Sequence, residues 1–162
     1  MPPSIPIARS NRLRTGRWSA TDQVYFVTTS TLGRVRWFDR WECAHEVAKL
    51  HSLAGPFFDA QVLAWVLMPD HWHGLIQLAS APLTAVLHRF KTLSGFRTNV
   101  AAERTGRVWQ SGFHDHAVRC DESLVELARY LVMNPVRAGL VARVGDYAFW
   151  DAVWIDRGSF AP

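Results

Sequence analysis

Two histidines at alternate positions, and a tyrosine four residues ahead of an asparagine, are the groups in this chain best suited to chemistry. The stretch "MPDHWHGLIQL" sets His71 and His73 around Trp72. Successive side chains on a strand point to opposite faces, so the two imidazoles share one face and Trp72 enters the other layer. Paired imidazoles are natural ligands for a divalent cation. A bare His-x-His also fits two unrelated surface histidines. The stretch "YLVMNPVRAGLV" puts Tyr130 one helical turn before Asn134, which abuts Pro135. A phenol beside an amide oxygen reads as a nucleophile next to a cation site. It is a weak nucleophile while protonated and needs activation, and a metal there would polarise the phosphate under attack. Equally, Asn-Pro ends helices, and a boundary tyrosine can pack on one side. Spacing alone leaves both readings open.

These groups need elements to hold them. "VYFVTTST" (24–31) is β-branched and aromatic and predicts a strand. Residues 38–55 predict a helix, with Asp39 able to cap its start and Gly55-Pro56 stopping it. The apolar run 57–70 predicts a central strand, and 71–80 alternates behind it, so the two form a hairpin around Pro69-Asp70. A second helix is expected from Leu83 to about Arg104, and 108–119 is expected to be a strand or a structured extended segment. In the helix expected over 122–134, Leu124, Leu127, Ala128 and Leu131 form one apolar stripe that must face the core. Asp121 or Ser123 would cap it, with Ser123 and Glu126 as a capping box. Glu126, Tyr130 and Asn134 fall on a neighbouring polar face. The order strand, helix, strand, strand, helix, strand, helix predicts an α+β fold, a ferredoxin-like antiparallel sheet with helices on one face. The boundaries expected are a basic N-terminal arm over 1–20, a domain over 21–145, and an irregular tail over 146–162 packed on it.

A chain of 162 residues with 49% hydrophobic and 20% charged residues can bury a core, which argues against global disorder. Its net charge of +4 favours an anionic partner. Only Lys49 and Lys91 among its 18 basic residues are lysine, and the planar guanidinium suits phosphates and bases, although GC-rich coding gives the same bias. Arg9, Arg12, Arg14 and Arg17 cluster ahead of the first strand. Cys43 and Cys120 lack metal-ligand spacing and imply no disulfide framework. No apolar run reaches the length of a membrane span, and the N-terminus lacks the apolar core of a signal peptide, so a cytoplasmic protein with no membrane partner is expected.

"MPDHWHGLIQL" combined with "YLVMNPVRAGLV" resembles the single-tyrosine HUH transposases, specifically the REP-associated tyrosine transposases of bacteria. The resemblance runs over roughly 20–150 and takes in "VYFVTTST", "HRFKTLSGF", "VWQSGFHDHAVR" and "DYAFW". It implies His71 and His73 as metal-binding histidines, Asn134 as a third ligand, and Tyr130 as nucleophile. The implied cofactor is Mg²⁺ or Mn²⁺, although imidazole also tolerates zinc. The implied activity is single-stranded DNA cleavage and strand transfer at hairpin-forming palindromic repeats, through a 5′-phosphotyrosine. The implied partner is single-stranded or hairpin DNA, with a monomer expected ahead of a homodimer. The family often has Asn where Asp70 stands and a smaller apolar residue where Trp72 stands; neither departure is expected to touch a ligand.

The four arginines at 9–17, Lys91 and Arg137 are the expected DNA-binding residues. His114-Asp115-His116 is a second His-x-His, with Asp115 and His116 as possible neighbours of the site. His45, His51 and His88 read as helix-surface or core histidines, and Trp109 and Phe113 read as core rather than base-stacking groups. Two other readings stay open: a domesticated hairpin-binding module that does not cut, and a metal-binding phosphoesterase with no use for Tyr130.

Overall fold

The computed structural model describes residues 22–53, 55–57 and 59–155, so Arg9, Arg12, Arg14 and Arg17 of the expected arm lie outside the described residues. The elements are β1 (Val24–Ser30), α1 (Trp41–Lys49), β2 (Ala60–Met68), β3 (His71–Leu78), α2 (Leu83–Ala101), β4 (His114–Ala117), α3 (Leu124–Val132), α4 (Asn134–Arg137) and β5 (Trp150–Ala152). All neighbouring strands are antiparallel, in the order β4-β1-β3-β2-β5. The first four strands follow the ferredoxin-like arrangement expected from the element order. β2 and β3 meet in a tight hairpin at Pro69-Asp70, which places His71 at the very start of β3.

The sheet has a packed layer on each side. On one side, Tyr25, Val27, Trp65, Leu67, Trp72, Ile76 and Leu78 pack with α1 and α2. On the other, Val24, Ala64, Val66, Met68 and Leu75 pack with Ala128, Leu131 and Val132 of α3. So α1 and α2 share a face as expected, but α3 takes the opposite one. The reason is alternation: β2 is buried on both sides from Leu63 to Met68, and two helices cover only one of them. The apolar stripe foreseen on α3 is the one that docks, with Leu124 and Leu127 completing it at the margin.

Several local expectations change. Asp39 does not cap α1, which begins at Trp41; its carboxylate binds Arg36 instead (2.6 and 3.1 Å). Only 114–117 of the segment 108–119 is strand. The stretch expected to be an irregular tail supplies β5, paired to β2 through Ala64, Trp65 and Val66. The Tyr147 hydroxyl locks this return by donating to the Leu67 carbonyl (2.6 Å).

Candidate active site

Alternation along β3 turns Trp72 into the α1/α2 layer, fully buried, and turns His71 and His73 towards the α3 side. Gly74 makes room for this packing. A Cβ there would lie 2.0 Å from the Trp72 ring, because residues two apart on a strand share a face. Cross-strand register then places Ser30 and Met68 beside His71, and Thr28 and Val66 beside His73. The two imidazole rings stand edge to face, their centroids 4.7 Å apart.

Each imidazole is held through Nδ1. His71 Nδ1 donates to Asp70 Oδ1 at 2.6 Å, since an ionised carboxylate only accepts. His73 Nδ1 is hydrogen-bonded to the Thr28 hydroxyl at 2.7 Å. The Nε2 atoms are the ones free to take a ligand. Burial is the first cause that pushes His73 down to about 3, followed by His71, Arg137 and Arg34. Burial also lowers His71, opposed by its bond to Asp70. Both rings are therefore neutral at neutral pH, the form that ligates metals. Of the two cations acting on His73, Arg34 is itself paired with Asp70 at 2.9 Å.

Tyr130 lies in the last turn of α3 and is 42% exposed. The Arg137 guanidinium lies 4.0 Å over its ring. The charge of Arg137 also acts on His73. Ser123 caps α3 as foreseen, accepting from the Glu126 amide (3.3 Å), while the Glu126 carboxylate binds Arg129 instead of closing a capping box.

Tyr130 and Asn134 do not share a continuous helix. α3 ends at Val132, and Asn134 opens α4 with Pro135 behind it. Pro135 has no N–H to offer the Leu131 carbonyl four residues back. Asn134 Nδ2 takes that place, donating to Leu131 O at 2.7 Å. The helix-ending role of Asn-Pro is thus real, and it commits the Asn134 amide nitrogen to the end of α3. His71 and His73 could each offer Nε2 to a cation, and the Asn134 amide oxygen is a further donor of the kind Mg²⁺ or Mn²⁺ accepts. Among the described residues no three His, Cys, Asp or Glu side chains gather as a metal cluster.

Other expected site residues fare differently. Lys91 is engaged within the fold, donating to the carbonyls of Gln110 (2.7 Å) and Gly112 (2.6 Å), and so pins the loop leading to β4. His116 contacts both Glu122 carboxylate oxygens at 3.2 Å on the exposed edge strand. Asp115 points to the opposite face by alternation. His114, by contrast, is opposite Thr28 and so shares its row with His73. Trp109 is core, its indole N–H donating to Ser94 Oγ at 2.9 Å.

Sequence reasoning missed Asp70, Arg34 and Thr28. Asp70 does touch a site histidine, contrary to expectation. Arg34 binds Asp70 through Nε at 2.9 Å and Ser30 through Nη1 at 2.8 Å. The adjacency of Asp70 to His71 was the only signal available; the other two arrive through tertiary contacts.

The chain is 27% identical to the REP-associated tyrosine transposase of Escherichia coli (strain K12), over 55% of its own length and 52% of that protein. A relative from Haemophilus influenzae, provisionally given the same name, is 30% identical over 55% of this chain and 57% of its own. The chain thus spans about half the length of the curated relatives it matches. The solved structure of a REP-associated tyrosine transposase bound to a REP hairpin superposes with a TM-score of 0.64 at 21% identity. It covers 83% of this chain and 79% of that one, a match of fold. The profile of IS200-like transposases matches residues 19–133, which takes in the histidine pair, the tyrosine and every element between them, and the chain belongs to that family.

Proposed function

We propose that this protein is a single-stranded DNA endonuclease and strand-transferase that acts on hairpin-forming palindromic repeats through Tyr130. What supports the reading is that His71 and His73, each anchored through Nδ1, face the side of the sheet on which α3 packs, and that Tyr130 in the last turn of α3 is half-exposed beneath Arg137. The hairpin-bound structure that shares the fold, and the REP-associated relatives, support a hairpin substrate. A Mg²⁺ or Mn²⁺ ion held by the two Nε2 atoms and the Asn134 oxygen would supply Lewis-acid polarisation of the scissile phosphate. Tyr130 bonds to phosphorus as the bond to the 3′-oxygen breaks. The phenol proton leaves to solvent, and the departing oxygen is protonated to a 3′-hydroxyl. The 5′-phosphate remains esterified to Tyr130, so its bond is kept for attack by another 3′-hydroxyl. Arg137 and Arg34 offset the charge of the DNA backbone. In this reading α3 packs on β2 and β3 of its own chain, so a monomer acting on cytoplasmic DNA is the proposed working state.

The test uses an oligonucleotide bearing a palindromic repeat from the flank of this gene, labelled on the 3′ side of the cut. Wild-type protein is expected to carry the label through denaturing electrophoresis, and Tyr130→Phe to bind the hairpin without cutting. Label on free oligonucleotide alone, with Tyr130→Phe still cutting, makes water the nucleophile and replaces this reading with a phosphoesterase.

A further inference from the structure

Asp70 occupies the turn of the β2–β3 hairpin and is held from several directions. Its carbonyl accepts from the Thr31 amide (2.9 Å) and the Thr31 hydroxyl (3.1 Å). One carboxylate oxygen receives Arg34 Nε and the other receives His71 Nδ1. Arg34 reaches it from an unusual backbone. Gly33 (φ 65°) and Arg34 (φ 59°) are both left-handed, a conformation a long side chain rarely adopts. An arginine kept there against its backbone preference points to a use for its guanidinium. Its second contact, to Ser30 Oγ, ties the clamp to the end of β1, directly across from His71.

The two site histidines differ in how firmly they are set. A carboxylate can only accept, so Asp70 fixes the proton of neutral His71 on Nδ1 and leaves Nε2 bare. The Thr28 hydroxyl can donate or accept, so it does not dictate the tautomer of His73. Free imidazole in histidine prefers its proton on Nε2, the arrangement in which that atom cannot ligate. His71 therefore needs the carboxylate to present its lone pair.

We infer that Asp70, clamped by Arg34, is a positioning residue that holds His71 in the tautomer with Nε2 bare and so sets the affinity of the site for a divalent cation. The geometry stands on its own; the consequence for cation binding rests on the metal-ligand reading of His71 given above. Outer partners of this kind change metal affinity by roughly 10- to 100-fold.

The test reads the tautomers directly, in metal-free protein at neutral pH, from long-range ¹H–¹⁵N correlations of the histidine rings. Wild type is expected to show His71 with its proton on Nδ1. Asp70→Ala should move it towards Nε2, while the His73 pattern stays as in wild type and reports an intact sheet. Asp70→Asn, whose amide can donate as well as accept, should leave the two tautomers mixed, between wild type and Asp70→Ala. Arg34→Gly relieves the left-handed backbone but removes the clamp, and should give a mixed pattern. Mn²⁺ affinity, followed by electron paramagnetic resonance of the free ion, should fall by about tenfold or more in Asp70→Ala and by less in Asp70→Asn. A His71 proton that stays on Nδ1 in Asp70→Ala overturns the inference, and so does a moved proton with unchanged Mn²⁺ affinity. Wild-type protein whose His71 and His73 signals are unaffected by Mn²⁺ overturns the metal reading itself, a failure visible before any variant is made.

Discussion

His51 and His73 sit on opposite sides of the sheet, and burial pushes both down to about 3. Beyond that they have little in common. His51 is enclosed by rings. It stacks on Trp65 at 3.8 Å, with Phe57, Phe90 and Trp72 around it. Its Nε2 accepts from the Trp72 indole (3.0 Å) and its Nδ1 faces the Ala48 carbonyl (3.3 Å), so both nitrogens are occupied. His73 is held only through Nδ1, and its neighbours include His71 and the charges of Arg34 and Arg137. A depressed pKa therefore marks burial rather than function. What separates a structural imidazole from a site imidazole is the nitrogen that has no partner, and the charges around it.

The sharpest way to break this contrast is to remove each ring in turn. His73→Ala should abolish cleavage of the palindromic oligonucleotide while urea unfolding stays within about 1 kcal/mol of wild type, because its ring contributes little core packing. His51→Ala should do the reverse. It should cost about 3 kcal/mol, from a lost aromatic stack and an unpaired Trp72 N–H, and leave cleavage by the folded fraction intact. If both variants lose activity and stability together, the two faces are not separable.

Gly74→Ala probes the joint between the faces. Its new methyl would collide with the Trp72 ring, so a loss of about 2–3 kcal/mol is expected; since Trp72→Leu removes that ring, the double variant should lose less than the two singles added together. Urea midpoints of the single and double variants decide it. Losses that simply add would mean the clash is absorbed elsewhere.

The smallest effect is on acid stability. His51 binds no proton in the folded state until about pH 3, whereas unfolded it titrates near ~6.5, so its contribution is complete above pH 6.5 and fades as pH falls towards 3. The slope from one such group is at most about 1.4 kcal/mol per pH unit. His51→Gln can still accept from Trp72 but cannot titrate, so it should flatten this limb by up to that amount. An unchanged slope between pH 6 and pH 4 would assign acid sensitivity to His71 and His73 instead.

The sequence was readable wherever the information was local. Alternation set His71 and His73 apart from Trp72, Pro69-Asp70 marked the hairpin, and Ser123 marked the start of α3. The side on which α3 docks was not readable, since its apolar stripe says that it packs but not against which face. β5 was hidden because three residues, Trp150-Asp151-Ala152, carry no usable period, and their partner strand lies far back in the chain. Lys91 looked like a phosphate contact because nothing in its own helix announces the Gln110 and Gly112 carbonyls. Arg34 escaped for a related reason: its value comes from a left-handed backbone and a carboxylate on another strand pair.

The late arrival of β5 has a consequence for how the protein is made. One edge of the sheet is β4, four residues long and built of His114, Asp115, His116 and Ala117, a poor template for another strand. The other edge, until β5 pairs with it, is β2, whose six residues from Leu63 to Met68 are all buried in the finished fold. At the usual pace of translation the chain between β2 and β5 takes on the order of ten seconds to synthesise. Throughout that interval β2 presents an unpaired, apolar edge, which Trp150–Ala152 cover only on arrival.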